Sequence, residues 1–199
     1  MKTILASAAA LTLALALAAL PVRAQDKKPM EHKDHQAMQE TKAKVDVRAE
    51  ILEQLEDARE KLLALATAMP AEKYTWRPGE GVRSVGEVYA HVAAANYLLP
   101  TFWGAKVPEG LDPRSFEKEG GDKAKTIDTL KKSFEHAREA ALAVPEPDLD
   151  KSVKFFGKVV AVRDILLSLA SHAHEHLGQS IAYARVNNVV PPWSAKGGQ

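Results

Sequence analysis

Two histidines one helical turn apart, His172 and His176, stand in the string His172-Ala-His-Glu-His176-Leu-Gly178-Gln179, and a third, His91, lies 81 residues upstream in another apolar segment. On an α-helix, positions i and i+4 share a face with Cβ atoms roughly 5 to 6 Å apart, so both imidazoles reach a single cation. A third imidazole from a facing helix completes a three-histidine site. Such a site keeps coordination positions open for water or substrate, the usual arrangement of a catalytic metal. The competing reading is three core histidines, each hydrogen-bonded to a glutamine, a tyrosine or a backbone carbonyl. The pair together with an inward third histidine favours the metal, because one cation satisfies polar groups whose unmet burial costs about 1 to 3 kcal/mol each.

The neighbours of these histidines narrow the site. His174 is turned roughly 200° from His172 about the helix axis and cannot join the same chelate. His136, beside Glu135 and among lysines and arginines, reads as a surface residue. Glu87, four residues before His91, can orient its distal nitrogen or supply a fourth ligand, and it can equally serve as a helix cap. Glu175 and Gln179 flank the helical pair as candidate outer partners, and Glu87 and Glu175 are the candidate proton carriers. Ala93, Ala94 and Ala95 keep the surroundings of His91 small, which leaves room for a ligand or lets helices approach closely.

Four helices must carry these residues. Between Val45 and Met69 the apolar positions Ile51, Leu55, Ala58, Leu62, Leu65 and Met69 fall at alternating spacings of three and four, a bundle-facing stripe that Pro70 ends. Ser84 with Glu87 forms a capping box that opens a second helix running to about Trp103. Its inner face carries Val88, His91, Ala95, Leu98, Leu99 and Phe102, which places His91 in the core. Residues 104–121, with four glycines and two prolines, read as a long connection, sufficient for a crossover. A third helix spans about Asp122 to Val144, with Ile127, Leu130, Phe134, Ala137 and Ala141 inward. The segment from Val153 to Val160 reads as a short hairpin-like turn. The fourth helix covers about Ala161 to Asn187, with Ile165, Leu169, His172, His176, Gln179 and Tyr183 on one stripe and Asn187-Asn188 as a left-handed exit. The fold class is therefore all-α, a four-helix bundle, in which metal sites are built from facing helices.

The termini and composition set the context. Met1-Lys2, an uncharged run from Ile4 to Leu20, and Val22-Arg23-Ala24 before Gln25 form a secretory signal peptide over residues 1–24, with cleavage after Ala24. An uncleaved anchor is the alternative, which Pro21 and the small-x-small pattern disfavour. The expected location is periplasmic or secreted, with no stable membrane insertion after cleavage. Residues 25–44 read as a disordered tether, 45–193 as the bundle and 194–199 as a disordered tail. Within the tether, Met30, His32, His35 and Met38 offer copper ligands, against the simpler reading of a solvated linker. The chain has no cysteine, which excludes disulfides and a lipidated N-terminus. Net charge is +1 and no basic stripe interleaves with aromatics, so nucleic acid is not an expected partner.

The strings Trp76-Arg77-Pro78, Ser84-Val85-Gly86-Glu87-Val-Tyr-Ala-His91, His172-x-x-x-His176-x-Gly178-Gln179 and Tyr183-Ala-Arg185 through Pro191-Pro192 resemble the DinB family, across the whole of residues 45–193. The resemblance implies a DinB/YfiT-like four-helix bundle, often dimeric, with zinc or nickel held by His91, His172 and His176. It also implies a metal-dependent transferase using a low-molecular-weight thiol, or a member of unassigned reaction. Leu177 stands where relatives often carry Arg, and Ala161 where a capping Thr or Ser is common. Because such thiols are chiefly cytosolic, an exported member calls for another small-molecule substrate, an ester, amide or lactone attacked by metal-ionised water. The alternative is a non-catalytic periplasmic bundle that binds a metal or another ligand.

Overall fold

The computed structural model describes residues 46–195; residues 1–45, on which the expected leader and tether with Met30, His32, His35 and Met38 fall, and residues 196–199 lie outside the described residues. Four α-helices are found among them: α1 (Val47–Ala68), α2 (Val85–Leu98), α3 (Lys123–Leu142) and α4 (Val162–Val186). Among the four α-helices, each of α1 and α2 packs against both α3 and α4. Helices α1 and α2 therefore lie on one diagonal of the bundle and α3 and α4 on the other, while the consecutive α2 and α3 are neighbours, a non-sequential order that the long connections make feasible. Among the described residues, no helix is long and apolar enough to cross a membrane.

Local chemistry sets each boundary. Asp46 caps α1 by accepting from the Ala49 N–H, and the expected stripe from Ile51 to Met69 is wholly buried. Ser84 and Glu87 close a reciprocal capping box on α2, whose first amide groups also donate to Trp76 and Tyr74 carbonyls. Pro100 lacks an amide hydrogen, and the chain tightens there into a 3-10 turn over Leu99–Trp103 instead of continuing the α-helix. Asp122 caps α3 through the Lys125 N–H, and at α4 the Asp164 carboxylate accepts from the Ala161 N–H. Asn188 has φ 61°, the left-handed exit expected after α4. The hairpin is antiparallel, β1 (Ser152–Phe155) with β2 (Lys158–Ala161), and Phe155 faces Lys158 across a two-residue turn. Both turn residues, Phe156 and Gly157, have positive φ, as a type I′ turn requires.

Three expectations are corrected. Helix α2 is rotated so that Val85, Val88, Tyr89, Val92 and Ala93 make its core face, and the stripe of His91, Ala95, Leu98 and Phe102 is only half-buried. His91 thus lies at the edge of the core, because α2 is apolar on nearly all sides and its periodicity does not choose between faces. His136 is half-buried rather than on the surface, its ring tilted against Tyr97 with centroids 4.8 Å apart. The connection of residues 104–121 is not plain loop: Asp112 caps a 3-10 helix over Pro113–Glu119, anchored by buried Phe116.

That 3-10 helix docks through two glycines. A Cβ on Gly86 would lie 1.7 Å from the Gly120 carbonyl oxygen, and one on Gly120 would lie 2.7 Å from the Glu87 nitrogen. Backbone meets backbone here, so no side chain can yield. Gly86→Ala is expected to destabilise the domain by about 3 kcal/mol, the upper end of overpacking costs, and to lower Tm by roughly 10 °C. A thermal melt checks it, and a loss under 1 °C would show that the contact is dispensable.

Candidate metal centre

His91 enters from the middle of α2, and His172 and His176 from adjacent turns of α4, with one nitrogen of each lying within 4.8 Å of the others. The three rings meet in pairs, with centroids 5.1 Å apart for His91 and His172, 4.8 Å for His91 and His176, and 4.5 Å for the helical pair. His176 is buried, and the other two are half-buried.

Hydrogen bonds set the tautomers. His91 Nδ1 donates to Glu117 Oε1 at 2.9 Å, and His176 Nδ1 donates to Gln179 Oε1 at 2.8 Å. Each ring therefore keeps its Nε2 lone pair free, the arrangement that ligating histidines adopt. His91 Nε2 lies 3.2 Å from His172 Nε2. Two imidazole nitrogens at 2.0 to 2.1 Å from one tetrahedral ion would be about 3.3 Å apart, so the spacing fits a shared cation. His172 Nδ1 is buried and has no hydrogen-bond partner. The donor set of three neutral imidazoles suits a borderline divalent metal, and the residues present fit one.

A chain of outer contacts joins the ligands. Gln179 donates onward to Tyr183 Oη at 3.0 Å, and the Tyr183 hydroxyl donates to the Arg83 carbonyl at 3.2 Å. The Arg83 Nε donates in turn to Glu117 Oε2 at 3.0 Å, which returns to His91. Trp76 packs edge-on to Tyr183 with centroids 5.4 Å apart and backs this chain. Sequence reasoning singled out Gln179 but missed Glu117 and Arg83. Asp112-Pro113 followed by Gly120-Gly121, a cap, an N1 proline and a glycine stop, was the signal that a helical turn lay within the connection.

Glu87 does not touch His91. Its Oε2 accepts from the Ser84 N–H at 2.6 Å and its Oε1 from Arg77 at 3.0 Å, so both oxygens serve the cap and its ion pair. Glu175 is exposed, with no hydrogen bond or ion pair among the described residues. His174 points away and donates to the Gln54 carbonyl on α1 at 3.0 Å. Leu177 is buried in the hydrophobic core.

Burial depresses two of the site histidines, His172 and His91. The pKa of His172 falls to about 4, through loss of solvation and then the proximity of His176, His91 and Arg83. That of His91 is also lowered, by burial first, with the Glu117 contact opposing and Arg83 adding to it. Burial works to raise the Glu117 carboxyl, but its bonds to Arg83 and His91 outweigh that and hold it below the ordinary carboxylate range.

Outward from the triad runs a cavity of about 640 Å³, lined by His91, His172, Ala94, Ala95, Leu98, Phe102, Arg114, Glu117 and Phe156. Ala94 and Ala95 thus leave room beside His91, and Ala93 packs in the core. The volume is that of a small-molecule site.

A helical bundle with three convergent histidines, two of them lining a cavity, defines a class of candidate metal-binding proteins. The sequence profile of the DinB superfamily matches residues 54–180, and the chain belongs to that superfamily. Two solved structures share the fold. A DinB-like protein from Bacillus cereus superposes with a TM-score of 0.59 at 18% identity, over 71% of this chain and 93% of that one. The DinB-like protein YjoA from Bacillus subtilis does so with a TM-score of 0.51 at 18% identity, over 70% of this chain and 92% of that one. No curated protein matches.

Two outcomes follow from this geometry. Glu117→Gln keeps the side-chain shape but loses the charge that holds His91, and metal affinity is expected to fall 10- to 100-fold in a competition titration; unchanged affinity would show that Glu117 does not orient the ligand. Well above pH 6.5 His172 is neutral in both folded and unfolded chains. As pH falls from 6.5 toward 4 the unfolded chain takes up a proton that the folded chain refuses, so stability of the metal-free protein declines across that window. Melts at pH 7 and pH 5 should differ less in His172→Gln than in the parent chain.

Proposed function

We propose that the chain is an exported metal-dependent enzyme, a hydrolase or transferase acting on a small molecule, with one zinc or nickel ion held by His91, His172 and His176. The observation that carries this reading is the convergence of three imidazoles, two of which, His91 and His172, line an open, largely apolar cavity of about 640 Å³. An ion bound there supplies a Lewis acid and a nucleophile ionised near neutral pH. Glu117 and Gln179 hold two of the ligating rings, and the wall from Ala94 to Phe102 receives the apolar body of a substrate. Export rests on the leader of residues 1–24, and it favours hydrolysis of an ester, amide or lactone over transfer to a cytosolic thiol.

One observation favours the second reading, a non-catalytic bundle that binds a metal or another ligand. Glu117, the carboxylate in the cavity wall, is already bonded to Arg83 and His91, while Glu87 serves the helix cap and Glu175 has no partner. Metal analysis and turnover separate the two. We expect close to one divalent ion per chain, turnover of an ester or lactone panel, and a loss of at least 100-fold in His172→Gln. Protein without stoichiometric metal sinks both metal readings; stoichiometric metal without turnover leaves the binding module.

A further inference from the structure

The wall of the cavity carries one charge that nothing in the fold has used. Arg114 lines the cavity, and its guanidinium has no hydrogen-bond or ion-pair partner among the described residues; only its backbone N–H is engaged, with Asp112. It lies three residues before Glu117 on the same 3-10 helix. Side chains at i and i+3 eclipse on such a helix, which puts Arg114 about 6 Å along the axis from the carboxylate that holds His91. Glu117 does not neutralise it, because that carboxylate is spent on Arg83 and His91.

The same cavity carries an aromatic surface, Phe102 and Phe156. Phe102 meets Phe155 and Phe156 with centroids 4.9 and 5.0 Å apart. Phe156 is 74% exposed and sits at φ 45°, a left-handed conformation that bulky side chains rarely adopt. The turn thus presents a large apolar ring to solvent at the cavity edge, which is unfavourable unless something covers it.

We propose that the cavity binds small amphipathic anions: the apolar body lies against Phe102 and Phe156, and a carboxylate or phosphoryl group pairs with Arg114, leaving the other end of the molecule toward the histidines. This inference rests on the reading of the cavity as a substrate site. A planar guanidinium suits such oxyanions, which it meets with two parallel hydrogen bonds.

The test is calorimetric titration of the metal-loaded chain with octanoate, octylphosphonate and the neutral isostere octanamide. At least one anion is expected to bind about tenfold or more tightly than the amide, the range of a charge-assisted contact, and the tighter of the two anions identifies the headgroup. Arg114→Gln should abolish that preference without changing amide affinity, and Arg114→Lys should restore part of it. Phe156→Ser should weaken all three ligands by a similar factor. Equal binding of anion and amide overturns the proposal, as does a preference that survives Arg114→Gln and so belongs to the metal. Repeating the titrations after chelation separates this result from the enzyme reading: a preference that persists and depends on Arg114 upholds the anion site whatever the metal analysis gives, and one that vanishes on chelation overturns it.

Discussion

The contact between Gly86 and Gly120 is the constraint on which the site depends. Two backbones approach to a distance that a single methyl group would prevent. That approach seats the 3-10 helix of residues 113–119 against the first turn of α2, and the helix brings Glu117 to His91 and Arg114 to the cavity. The same turn of α2 is closed by the Ser84 and Glu87 cap, so capping, docking and ligand orientation share a few residues. A change at either glycine acts on the site through geometry, without touching a histidine.

Burial and polarity are balanced around the three imidazoles. Desolvation keeps His91 and His172 neutral, the form in which a ring can ligate a cation. Two rings are fixed by side chains from different sources, Glu117 from the connection and Gln179 from the turn of α4 below His176. Arg83 links both branches, through its carbonyl to Tyr183 and through its guanidinium to Glu117. Such a continuous chain of hydrogen bonds holds orientation more firmly than isolated pairs do.

Much of the fold was legible because its signals are local. Alternating spacings of three and four placed α1, α3 and α4 within a few residues, and the capping box marked the start of α2. The face of α2 was not legible: with Val85, Tyr89, Val92 and Ala93 as apolar as Leu98 and Phe102, its pattern is nearly uniform around the axis. Which side met the core was decided by packing against α3 and α4. Glu87 attracted attention by its spacing from His91, yet a cap and Arg77 hold it elsewhere, while Glu117, 26 residues distant in sequence, makes the contact.

By itself the sequence determined the four helices, the helical pair His172 and His176, the exclusion of His174 and the likeness to the DinB family, since helix periodicity and motif spacing are properties of short segments. Tertiary structure alone decided that α1 lies diagonally from α2 and α3 from α4, that His91 borders a cavity, and that Glu117, Arg83 and Arg114 belong to the same site. Those facts depend on contacts between distant segments. Their registration is set by a glycine pair whose meaning appears only when both backbones are in place.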